Sequence, residues 1–113
     1  MRNYKGIKIY QVRGHTGYYD DETEISDYDL KTLFGKNISK VVYWYATGDY
    51  EGGGEALMKV DRRWYRVCLS HCSCNGPLDN MDFTHEFIRS KCTEELDDNL
   101  EPLLKYMKKY KIR

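Results

Sequence analysis

Lys40-Val41-Val42-Tyr43-Trp44-Tyr45-Ala46-Thr47 is the stretch on which the fold class turns. It is apolar and β-favouring without a break, which predicts a central strand. Upstream, residues 7–12 (Ile-Lys-Ile-Tyr-Gln-Val) alternate and predict a first strand. Downstream, residues 48–54 (Gly-Asp-Tyr-Glu-Gly-Gly-Gly) read as a connection. Residues 55–60 and 63–69 then form a hairpin with Asp61-Arg62 near its turn. Along its second arm Tyr65, Val67 and Leu69 fall on one face and Trp64, Arg66 and Cys68 on the other.

Two helices complete the pattern. Ser26 and Asp29 have the spacing of a capping box, Ile25 and Leu30 that of a hydrophobic staple, and Gly35 stands where a helix would end. These signals predict a helix over residues 27–34, burying Leu30, Leu33 and Phe34. Leu96, Leu100, Leu103, Leu104 and Met107 repeat at helical spacing near the C-terminus. Pro102 is tolerated there if Asn99 is the cap, because proline fits the first turn of a helix. A separate turn then starts at residues 93–95, and residues 84–91 read as a short helix. The expectation is one α+β domain over residues 1–113. It has a small antiparallel sheet of about four strands, with the N-terminal-half helix and the C-terminal helix packed on one side.

Composition narrows function more than it names it. Eleven of the 113 residues are tyrosine, against 3 phenylalanines and 2 tryptophans. Such a bias suits a sheet with one wet face, or a surface that meets another molecule. Lys and Arg number 18, as do Asp and Glu. That balance argues against both a polyanion binder and a nucleic-acid mimic. No apolar run has signal-peptide or membrane-spanning length, so a cytoplasmic protein with no membrane partner is expected. In that compartment Cys68, Cys72, Cys74 and Cys92 are thiols or metal ligands rather than disulfides.

Several groups of residues bear on chemistry. Cys68, His71, Cys72 and Cys74, with Cys92 to complete the set, could supply the four N or S ligands of zinc. The adjacency of His71 and Cys72 and the single residue between Cys72 and Cys74 depart from paired CxxC spacing. The plainer reading is thiols filling small spaces, with no cofactor. A thiol nucleophile activated by His71 or His85 lacks a local catalytic signature. Gly52-Gly53-Gly54 lacks the lysine of a phosphate loop and has no helix after it. A close backbone approach or a turn explains it better. The acidic runs at residues 20–24 and 97–98 read as solvated faces. Lys105, Lys108, Lys109, Lys111 and Arg113, interleaved with Tyr106 and Tyr110, suit a helix C-terminus and offer nucleic-acid contact as an alternative.

Residues 48–54, then Trp64-Tyr65, then His71-Cys72-Ser73-Cys74-Asn75-Gly76-Pro77 resemble a pattern of small proteins of bacteria and their phages. In it a Tyr-x-Gly-x-Gly segment precedes a His-Cys-Ser-Cys-x-Gly-Pro loop. The match spans residues 43–78, and Asn75 replaces an aromatic residue of the pattern. The resemblance implies a compact sheet core with a fixed loop, and no particular activity. It also implies a phage or mobile-element setting, where small proteins often block a host protein, including defence systems such as CRISPR effectors.

The expected function is therefore non-enzymatic binding of a protein partner through Tyr18, Tyr19, Tyr43, Tyr45, Asp49, Tyr50, Glu51 and Trp64, since aromatic residues are enriched at interface hot spots. The same face would serve a homodimer. The zinc or thiol site on the Cys68–Cys74 cluster is the alternative from another class.

Overall fold

The computed structural model describes residues 1–72, 75–79, 81, 86–87 and 98–113. In chain order it contains strands β1 (Arg2–Tyr4), β2 (Ile7–Gln11) and β3 (Asp21–Glu22), then helix α1 (Asp27–Leu30), continued by one 3-10 turn (Lys31–Leu33). Strands β4 (Ile38–Gly48), β5 (Glu51–Val60), β6 (Arg63–His71) and β7 (Glu86–Phe87) follow, and helix α2 (Glu101–Lys109) ends the chain.

The sheet runs β1-β2-β4-β5-β6-β7, with β3 paired to the far end of β4. This is larger than the four antiparallel strands expected, and it is mixed, because β2 and β4 are parallel. Two local causes account for the difference. Lys5 and Gly6 both take positive φ (49° and 90°), so the chain from Arg2 to Gln11 folds back as two strands. A parallel pair then needs a long crossover, which the segment containing β3 and α1 supplies between β2 and β4.

β4 is buried on both faces from Val41 to Ala46. On one face Val41, Tyr43 and Tyr45 pack with Ile7, Met58, Val67, Leu30 and Leu78. On the other, Val42, Trp44 and Ala46 pack with Leu57, Trp64, Leu100, Leu103 and Met107. The two helices therefore cover opposite faces, not one. An apolar residue at every position of a strand leaves neither face fit for water, so each needs its own cover.

The helix signals hold with small shifts. Ser26 Oγ accepts from the Asp29 backbone N–H at 3.2 Å and donates to its Oδ2 at 3.0 Å. Ile25 and Leu30 are buried, and Gly35 takes φ 78° just past the 3-10 turn. Phe34 corrects the expected stripe. Its backbone is already extended (ψ 135°), and its ring is 68% exposed beneath the Lys5 ammonium. At α2 the cap is Leu100, one residue past Asn99, and Pro102 falls in the first turn. The helix expected over residues 84–91 lies outside the described residues except at Glu86–Phe87, which are strand and pair with Trp64 and Tyr65. Residues 93–96, with the expected turn and Leu96, also lie outside them. Among the described residues no helix is long and apolar enough to cross a membrane.

Candidate functional site

The Gly48 end of the sheet carries the two most exposed aromatic residues, Tyr18 and Tyr50. Gly48 pairs with Glu51, so only Asp49 and Tyr50 make the turn between β4 and β5. Both take positive φ (46° and 68°). Two-residue hairpins of this kind favour Asn-Gly, because a side chain in the left-handed region costs about 1–2 kcal/mol per residue. A tyrosine here is held in a conformation its own sterics oppose. It leaves the ring 85% exposed, and Tyr18 beside the same groove is fully exposed.

The glycine run supports this end and is not a loop. Gly52, Gly53 and Gly54 lie within β5, opposite Thr47, Ala46 and Tyr45. A Cβ on Gly54 would stand 2.1 Å from the Trp44 carbonyl oxygen, and one on Gly52 would stand 2.7 Å from the Tyr45 hydroxyl. A Cβ on Gly53 would meet the Tyr19 ring at 2.8 Å. The bare backbone thus makes a shelf on which Tyr19 lies. Tyr19, Tyr18, Asp20, Gly48, Asp49 and Glu51 line a shallow groove there. The Tyr19 N–H donates to Thr16 O at 3.1 Å, and Gly17 passes so close to Trp44 that a Cβ would sit 3.1 Å from its ring. These contacts anchor the segment that carries Tyr18.

Of the predicted partner-binding residues, Tyr18, Tyr19, Asp49, Tyr50 and Glu51 come together. Tyr43, Tyr45 and Trp64 do not, being 1%, 3% and 2% exposed. Tyr43 takes the Ile25 N–H on its hydroxyl at 3.0 Å, and burial pushes its pKa above the usual tyrosine value. Tyr45 is pushed up to about 12, first by burial and then by the negative charge of Asp29. Both hydroxyls are neutral core groups. Asp20, read in sequence as part of a solvated acidic run, joins the groove. Its place follows from β3 pairing beside Ala46 and Thr47, which a two-residue strand does not announce.

The sulfur residues are less convergent. Cys68 and His71 fall on opposite faces of β6, since their positions differ by an odd number. Cys68 is exposed, with its Sγ donating to the buried Glu55 Oε1 at 3.7 Å. His71 Nδ1 contacts the Asn75 carbonyl, while Cys72 bridges back to Asn75. Leu78, three residues on, is buried against α1. Cys74 and Cys92 lie outside the described residues, among which no three His, Cys, Asp or Glu side chains gather as a metal would require.

Charge is segregated along the sheet despite the neutral sum. Residues 14–30 carry Asp20, Asp21, Glu22, Glu24, Asp27 and Asp29 and no lysine or arginine. Residues 1–13, 31–48 and 102–113 carry no carboxylate side chain. The fold sets Asp20, Asp49 and Glu51 at one end of β4, and Lys8, Lys40 and Arg113 at the other. Comparison with protein-family models, with curated proteins and with solved structures gives no match, so this geometry stands on its own chemistry.

Proposed function

We propose that this is a non-enzymatic binding protein that grips a protein partner with the Tyr18–Tyr50 end of its sheet. The observation that carries the reading is the pair of tyrosines, fully and 85% exposed, flanking a groove whose acidic rim holds Asp20, Asp49 and Glu51. Tyrosine suits the role. Its ring brings a large contact area at little rotamer entropy, and its face attracts a cation. No lysine or arginine lines the groove, so the chemistry favours a partner segment rich in arginine. Strained backbone that displays an exposed side chain is what a functional constraint leaves behind. In the phage or mobile-element setting that the sequence resemblance implies, the partner is a host protein with a cationic surface.

Calorimetric titration with an arginine-rich peptide tests the surface. Tyr18→Ala and Tyr50→Ala are each expected to weaken binding about thirtyfold, the lower bound for an aromatic hot spot. Unchanged affinity in both variants, with the fold intact by circular dichroism, would remove this end of the sheet from consideration.

A further inference from the structure

The opposite end of the molecule carries a second surface, built from three chain segments that lack carboxylates. Lys8 and Lys40 are register partners on the parallel strands β2 and β4, so they share the face that α2 covers. Lys40 Nζ donates to the Arg113 carbonyl, which brings the C-terminal residues down beside them. Lys8, Lys108, Lys109, Lys111 and Arg113 are all exposed. An aromatic ladder runs through the same place. The Tyr10 ring meets Tyr106 edge-on at 6.3 Å, and Tyr106 meets Tyr110 at 4.5 Å. Tyr110 is 55% exposed, with the Lys109 ammonium 5.3 Å from its ring centre.

We infer that this end binds single-stranded nucleic acid, with the lysines and Arg113 on the phosphates and Tyr110, backed by Tyr106, as a stacking platform for a base. Charge complementarity selects a polyanion, since neither 102–113 nor 1–13 carries an Asp or Glu side chain to repel it. The exposed ring favours bases over bare phosphate. Sequence-tolerant single-strand binders combine a basic track with aromatic platforms in this way. A lipid surface fits poorly, because the apolar side of α2 (Leu103, Leu104 and Met107) is committed to the core. Balanced composition argued against polyanions only while the charges were treated as mixed.

Fluorescence anisotropy with a labelled twenty-nucleotide oligothymidylate and the full chain tests the inference. If Lys8, Lys109, Lys111 and Arg113 each neutralise one phosphate, affinity falls about fifty-fold between 50 and 200 mM salt. The triple variant Lys109→Gln, Lys111→Gln, Arg113→Gln lowers the logarithmic salt slope by about 2. Tyr110→Ala weakens binding about tenfold, while Tyr110→Phe keeps it. Tyr18→Ala and Tyr50→Ala leave it unchanged, which separates this surface from the protein-docking end. No binding at 50 mM salt overturns the inference. So does polyphosphate competing equally per charge with Tyr110→Ala silent, which reduces the surface to bare electrostatics. Binding to phosphatidylserine vesicles in place of the oligonucleotide, or salt-sensitive self-association in its place, overturns it in favour of a membrane or of the acidic end of a second copy.

Discussion

At the Gly48 end of β4, tyrosines stand out into solvent among carboxylates; at the Lys40 end, tyrosines lean on one another among lysines. The two ends differ in how the backbone holds the rings. Tyr50 is displayed by a turn in which both residues have positive φ, whereas Tyr106 sits on a regular helix and packs on Tyr10. One strand thus separates an acidic tip that holds Tyr50 on a positive-φ turn from a basic end that holds Tyr106 on a regular helix, and between them Tyr43 and Tyr45 are core. The same residue type is exposed at a turn, packed ring on ring and buried in the core, and its neighbours decide which.

The comparison rests first on the glycine shelf. Gly54→Ala puts a methyl group against the Trp44 carbonyl oxygen, which cannot move without breaking the ladder. We expect it to destabilise the protein by about 3 kcal/mol, at the upper end for overpacking. Gly53→Ala meets only the Tyr19 ring, which can swing away, so about 1 kcal/mol is expected. Urea denaturation of both variants measures the contrast. Equal losses would mean that the shelf is not shaped by backbone approach at Gly54.

The core tyrosines offer a test by pH. Tyr45 has its pKa raised from 10.0 in the unfolded chain to about 12 in the fold. Below pH 10 both states are protonated and stability is full. As pH rises from there towards 12 the unfolded state loses its proton first, so stability falls across that window. Tyr43 adds to the fall, its pKa being raised by the same cause, burial. The urea midpoint should therefore drop above pH 10, and Tyr45→Phe should flatten part of the drop. Tyr43→Phe additionally leaves the Ile25 N–H without its acceptor, at about 1–2 kcal/mol by urea denaturation at neutral pH.

The smallest expected effect bears most directly on the difference between the ends. Replacing Asp49-Tyr50 by Asn-Gly relieves the two positive-φ residues and should stabilise the protein by about 1 kcal/mol while weakening its hold on a cationic peptide. Thermal unfolding and peptide titration, run side by side, read the two signs. A variant that gained stability and kept full affinity would show the turn to be strained without serving the proposed contact.

Much of the architecture was legible residue by residue. The capping box at Ser26 and Asp29, the staple of Ile25 on Leu30 and the apolar run of β4 all state local preferences that the fold respects. The unbroken run from Val41 to Ala46 also implied cover on both faces, which one layer of helices could not give. The close backbone approach expected at Gly52, Gly53 and Gly54 holds, but their placement in a connection does not, because a glycine run reads as a break until its strand partners are known. The surface proposed for docking was half legible. Tyr50 and Tyr18 were picked out by type, but burial of Tyr43, Tyr45 and Trp64 depended on partners far along the chain.

The sequence by itself determined the local matters: the capped helix after Ser26, the amphipathic helix near the C-terminus, which strand is central and which blocks carry one sign of charge. These depend on neighbours within a few residues, whose sterics and hydrogen bonds act at any stage of folding. Only the tertiary structure decided which tyrosines meet water, that α1 and α2 lie on opposite faces, and that the carboxylate-free segments converge at one end. Those outcomes follow from pairings between distant segments, such as β2 alongside β4, and side chains are buried or grouped only once such pairings are made.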